Sequence, residues 1–161
     1  MTGGSLQHNL LFGNIYRQLG NRLAGMGCRV FGSDAGVATI SDAVRYPDAV
    51  VTCSKFDGRD LLVPDPIIVF EVVSPSSVRT DRVIKLREYQ AVPSIRQYVI
   101  VEREEITITV LSRENPGDAF TAAGLSKGDT LQLPEIGIEL PVDDIYEGII
   151  TAGPRDTGAT A

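Results

Sequence analysis

The chain has 161 residues, 43% hydrophobic and 22% charged, with a net charge of −6 and one histidine. That length suits one domain with a sizeable core. The acidity (pI ≈ 4.7) argues against indiscriminate phosphate binding, and no apolar run approaches a membrane span.

The chain opens Met1-Thr2-Gly3-Gly4-Ser5, with no basic segment leading into an apolar core, so no secretory leader is expected. Residues 6–24 read as a helix: Leu11, Ile15, Leu19 and Leu23 share one face, Ser5 is placed to cap, and Gly25 with Gly27 ends the run. Residues 28–31 and 35–40 read as short strands between turn residues. Cys28 and Cys53 make no disulfide framework. With one histidine beside them there is little material for zinc, so a reduced, cytoplasmic protein is expected.

Asp48 to Cys53 reads as a strand entered through Pro47, and the polar, proline-bounded residues 54–65 as a loop. Ile67 to Ser74 is the most apolar strand and lacks clean alternation, which predicts a central place in a sheet. Ser76, Ser77 and Thr80 offer caps for the next helix, which Pro93 closes. Residues 97–101 and 106–111 form a hairpin pattern around a charged turn. Residues 112–129 read as loop with one short strand near Phe120. Residues 131–133 and 136–140 are short strands, and Asp143 to Ile150 holds a helical turn. The expected organisation is one domain over residues 1–150 and a flexible tail over 151–161. The fold class is α/β or α+β, with a mixed central sheet flanked by the longest helices.

The chemistry gathers at Asp48, Glu71 and Lys85. Strand parity turns Ile67, Val69, Glu71 and Val73 to one side. A carboxylate inside such a strand costs several kcal/mol of desolvation unless it is paired or bound to metal. One partner is a structural Lys or Arg. The other is a divalent cation shared with Asp48. Two carboxylates and a backbone carbonyl are hard oxygen donors that suit Mg²⁺, which keeps several waters. Such an ion acidifies water and neutralises phosphate charge. Lys85 would then stabilise the transition state, or would simply pair with Asp81 one turn earlier. Arg79, Arg82, Lys85 and Arg87 make either a local positive patch or a solvated helix face.

Other candidates carry less. His8 stands near a helix start and reads as a cap or surface residue. Gly25 and Gly27 lack the third glycine of a dinucleotide fingerprint, since Val30 follows. The serines of Ser74-Pro75-Ser76-Ser77 have only His8 as a base. Cys28 and Cys53 have no activating neighbour in sequence.

The ordered set Tyr46-Pro47-Asp48-Ala49-Val50-Val51, Val69-Phe70-Glu71-Val72-Val73-Ser74-Pro75-Ser76, Asp81-Arg82 with Lys85 and Tyr89, and Gln97-Tyr98-Val99-Ile100-Val101 resembles the Uma-two family. That family belongs to the PD-(D/E)XK nuclease superfamily. The likeness runs from the first helix to Tyr146-Glu147-Gly148. It implies a restriction-endonuclease-like fold and Mg²⁺-dependent cleavage of DNA phosphodiesters, with Mn²⁺ as a substitute ion. By motif position it implies that Asp48 and Glu71 are metal ligands, with the Val72 carbonyl a third, and that Asp48, Glu71 and Lys85 are catalytic. The superfamily's lysine stands two residues after the acid, where this chain has Val73, so Lys85 supplies it from the next helix. Similar proteins carry a further amino-terminal segment ending in a strand pair with an acid, which this chain's start would lack. A homodimer is expected, since paired sites address two strands and a bare sheet edge invites pairing. The alternatives are an inert binding or structural module of the same fold, and an ion pair in an unrelated α/β scaffold.

Overall fold

A computed structural model describes residues 4–149; the tail over 151–161 lies outside them. Helix α1 (Leu6–Leu23) begins where the Ser5 hydroxyl accepts the His8 N–H at 3.1 Å and ends at Gly25, whose φ of 77° suits a residue without Cβ. Its stripe of Leu11, Ile15, Leu19 and Leu23 is buried as the four-residue spacing requires.

The main sheet has six strands in the order β1-β4-β5-β6-β7-β8. They are β1 (Arg29–Phe31), β4 (Ala49–Thr52), β5 (Pro66–Val73), β6 (Gln97–Glu102), β7 (Thr107–Ser112) and β8 (Thr121–Ser126). Only β5 and β6 run parallel; the other neighbours are antiparallel. The mixed sheet is therefore as expected, with β5 in its interior. Helix α2 (Arg79–Gln90) connects the parallel pair. Two small pairs, β2 (Val37–Ala38) with β3 (Val44–Arg45) and β9 (Thr130–Leu133) with β10 (Ile138–Pro141), flank the sheet. Helix α3 (Val142–Ile145) follows β10.

Each face of the sheet has its own core. Ala49, Val51, Ile68, Phe70 and Val72 pack with the α1 stripe and with β9, β10 and α3. Val50, Val69, Tyr98 and Tyr89 of α2 pack on the other side. The alternation along β5 thus aims Val69 and Glu71 at α2 and Phe70 at α1.

Four local expectations are corrected. Cys28 and Cys53 form a disulfide. They stand just beyond the paired residues Arg29 and Thr52, a cross-strand neighbourhood that spacing in sequence does not reveal. No side chain caps α2, whose N-cap is Val78. The serines serve the preceding turn instead, Ser77 Oγ accepting the Ser74 N–H at 3.3 Å. Residues 35–40 hold only the two-residue β2 and enter a 3-10 turn at Ile40–Asp42. Finally, β8 is a full six-residue edge strand, not a short one, held by six cross-strand partners on β7.

Candidate active site

Strand register builds the site. Ala49 lies opposite Phe70 in the antiparallel β4–β5 pair. Continuing one residue outward sets Asp48 opposite Glu71, on the α2 side of the sheet. Glu71 is 6% exposed. Its Oε2 accepts from Lys85 Nζ at 2.9 Å and its Oε1 from the Tyr89 hydroxyl at 2.8 Å. Both donors come from α2, one turn apart, so one helix face supplies both (i, i+4). Lys85 also reaches Asp81 at 3.4 Å. The expected pairing of Lys85 with Asp81 is thus realised, and the same ammonium is the structural partner that the buried Glu71 required.

Asp48 is held differently. Its Oδ2 accepts the Val72 N–H at 2.7 Å, and its Oδ1 faces His8 Nε2 at 3.1 Å. A strand residue's N–H and C=O point to the same edge, so the Val72 carbonyl also faces Asp48 and not β6. Asp48, Glu71, Val72 and Lys85 line a single cavity of about 230 Å³, together with His8, Tyr98 and Arg82. Arg82 spans from Glu102 of β6 (3.0 Å) to the Ser74 carbonyl (3.1 Å), which fixes α2 over the ends of β5 and β6.

The charges respond to this packing. Burial pulls the Lys85 ammonium down, but Glu71 and Asp81 outweigh it, and its pKa is raised. His8 is raised above 6.5, chiefly by its hydrogen bond to Asp48. The Tyr89 hydroxyl is pushed far up by burial and then by the Glu71 charge, so it remains a donor.

The residues suit Mg²⁺ by the chemistry of the donor set. Two carboxylates and a carbonyl meet at one sheet end, all hard oxygens. Among the described residues no three His, Cys, Asp or Glu side chains gather as a metal cage. The protein would therefore supply a partial shell and leave the rest to water, as Mg²⁺ prefers.

The structure brings the predicted Asp48, Glu71, Val72 and Lys85 together. It corrects the reading of His8. The helix start is indeed capped by Ser5, but the imidazole turns inward to Asp48, which is distant in sequence. Tyr89, like Tyr98 and Arg82, was also left outside the site by the sequence reading. Its signal was the Lys85–Tyr89 spacing of one helical turn, which places any pair on one face.

The model of the Uma2 family, described as "Putative restriction endonuclease", matches residues 1–143. The chain belongs to the Uma2 family. Among its relatives is the Synechocystis sp. protein "Uncharacterized protein slr1290", 30% identical over 151 residues, which span 92% of this chain and 79% of that one. A second, "Uncharacterized protein sll1609" from the same organism, is 28% identical over 64% of this chain and 60% of its own length. The fold is that of a crystal structure from Anabaena variabilis ATCC 29413 described as a "putative nuclease belonging to DUF820". It superposes with a TM-score of 0.70 at 14% identity, over 93% of this Uma2 chain and 84% of the other.

Proposed function

We propose that this Uma2 chain is a Mg²⁺-dependent endonuclease that hydrolyses phosphodiester bonds of DNA, with Asp48, Glu71 and Lys85 catalytic. The observation that carries the reading is the pairing of two acids on neighbouring strands, one held by a strand amide and the other by Lys85. Asp48, Glu71 and the Val72 carbonyl would hold the ion. When bound, Mg²⁺ would supply an acidified water and neutralise charge on the phosphate; Mn²⁺ would substitute. Lys85, kept charged by Glu71 and Asp81, would offer its ammonium to the oxygens on which charge builds in the transition state. Tyr89 and the Val72 amide keep the two carboxylates from rotating away.

Supercoiled plasmid with Mg²⁺ tests this reading. The wild-type chain is expected to nick it, and Glu71→Gln to leave it intact. Intact plasmid with wild type in both Mg²⁺ and Mn²⁺ contradicts it. The working compartment proposed is the cytoplasm, where DNA is. There the thiol pool would contend with the Cys28–Cys53 bond.

One observation favours a second reading, an inert binding or structural module of this fold. Every carboxylate oxygen of Asp48 and Glu71 already has a protein partner in His8, Val72, Lys85 or Tyr89. Lys85 and, when protonated, His8 offset the charge of these acids, as a structural ion-pair network would.

A further inference from the structure

Four of the chain's ten aromatic side chains, Phe12, Tyr16, Phe31 and Phe56, line one groove of about 570 Å³. Phe12 and Tyr16 stand on α1 with ring centroids 5.7 Å apart. Across from them Phe31 ends β1 and meets Phe56 of the 54–65 loop edge-to-face at 5.1 Å. Tyr16 is 43% and Phe56 44% exposed. Ring faces left half open in a concave wall are unusual for residues serving only a core.

The groove adjoins the candidate active site. Phe31 lies opposite Val50, which Asp48 precedes by two residues, and the turn that follows Phe31 carries Ser33 into the groove wall. On the α1 side, Phe12 and Tyr16 follow His8 by one and two turns, about 6 and 12 Å along the axis. A nucleic-acid strand with its phosphate at Asp48 and Glu71 would reach the groove within a nucleotide or two.

The lining selects what enters. No Lys or Arg lines the groove, while Asp34, Asp57 and Asp60 do. A phosphate is disfavoured there. A nucleobase suits both features: its π-face stacks on the aromatic rings, and its exocyclic amine donates to a carboxylate.

We infer that this groove is a binding site for an unpaired nucleobase next to the scissile phosphate, which directs the chain to DNA with unpaired bases, as in overhangs, flaps and the locally opened regions of a supercoiled plasmid. A base inside a duplex cannot reach such a site without leaving its stack. The inference rests on the nuclease reading for its phosphate position, but its test does not depend on cleavage.

The probe is an oligonucleotide carrying 2-aminopurine, in a single-stranded overhang or within a blunt duplex, titrated with wild-type chain in EDTA. Quenching is expected for the overhang and not for the duplex. Tyr16→Ala and Phe56→Ala should each raise the overhang Kd about tenfold while leaving its salt slope unchanged, because no phosphate contact is lost. Phe56→Trp, which keeps a ring, should bind as wild type and guards against mere misfolding. Absent quenching, equal quenching in the duplex, or alanine variants with unchanged Kd overturns the inference. So do alanine variants that dissolve a wild-type dimer without altering Kd, which would make the groove a contact between copies. Cleavage in Mg²⁺ without quenching removes the groove and keeps the nuclease. Quenching without cleavage keeps the groove and removes the nuclease.

Discussion

Glu71 is the residue on which most of the site's energetics turn. It is a carboxyl side chain 6% exposed, made tolerable by Lys85 and Tyr89. Removing the amine of a buried pair costs about 3–5 kcal/mol, and an exposed pair costs under about 1. Lys85 is 26% exposed, so Lys85→Ala is expected to cost about 2 kcal/mol by urea denaturation. It should keep metal binding and lower cleavage about a hundredfold. An unchanged cleavage rate would remove Lys85 from the chemistry. His8 gives a pH prediction for the metal-free protein. Its folded pKa lies above the unfolded 6.5, so its contribution to stability is complete below 6.5 and is lost as pH rises through the folded value. His8→Asn should remove that portion of the stability-versus-pH curve; a curve identical to wild type contradicts the contact with Asp48. Asp48, Glu71 and Lys85 were legible because a lone acid in an apolar strand needs a partner. His8 was not, because nothing near position 8 signals Asp48, and its contact exists only once α1 crosses the sheet end.

At the scale of elements, period and turn residues revealed α1, β5, α2 and the β6–β7 hairpin. The failures have physical causes. β8 is Thr-Ala-Ala-Gly-Leu-Ser, a sequence of low strand propensity held in place by pairing with β7 and not by its own side chains. α2 starts without a side-chain cap because the nearby serines are used in the turn before it. The disulfide joins residues brought level by the β1–β4 register, which no local pattern encodes. It closes the strand end from which the 54–65 loop departs. Cys28→Ser with Cys53→Ser, or reductant on the wild type, is therefore expected to lower stability by about 2–4 kcal/mol, as for other loops of moderate length. Identical denaturation curves with and without reductant would contradict a bond that matters to the fold.

For the whole molecule, charge and edges decide the partners. The net charge is −6, and the basic segment on α2 is partly spent, with Arg82 on Glu102 and Lys85 on Glu71 and Asp81. Arg79 and Arg87 remain exposed. Few phosphates can be neutralised, so DNA binding should be weak and should fall with added salt. Tight binding indifferent to salt, seen by titrating labelled duplex, would contradict this. The exposed edge strand β8 supports proposing the homodimer expected from the sequence. Light scattering that shows a monomer at high concentration rules it out. Among the described residues no helix is long and apolar enough to cross a membrane.

The central claim is that Asp48 and Glu71 share one divalent ion. Titration of the chain with Mn²⁺, followed by electron paramagnetic resonance of the free ion, addresses it most directly. The account predicts one bound ion per wild-type chain and none for Glu71→Gln or Asp48→Asn at the same concentrations. Wild-type chain that leaves all the Mn²⁺ free, or variants that bind it equally well, would contradict the claim and leave the inert, side-chain-balanced module as the reading.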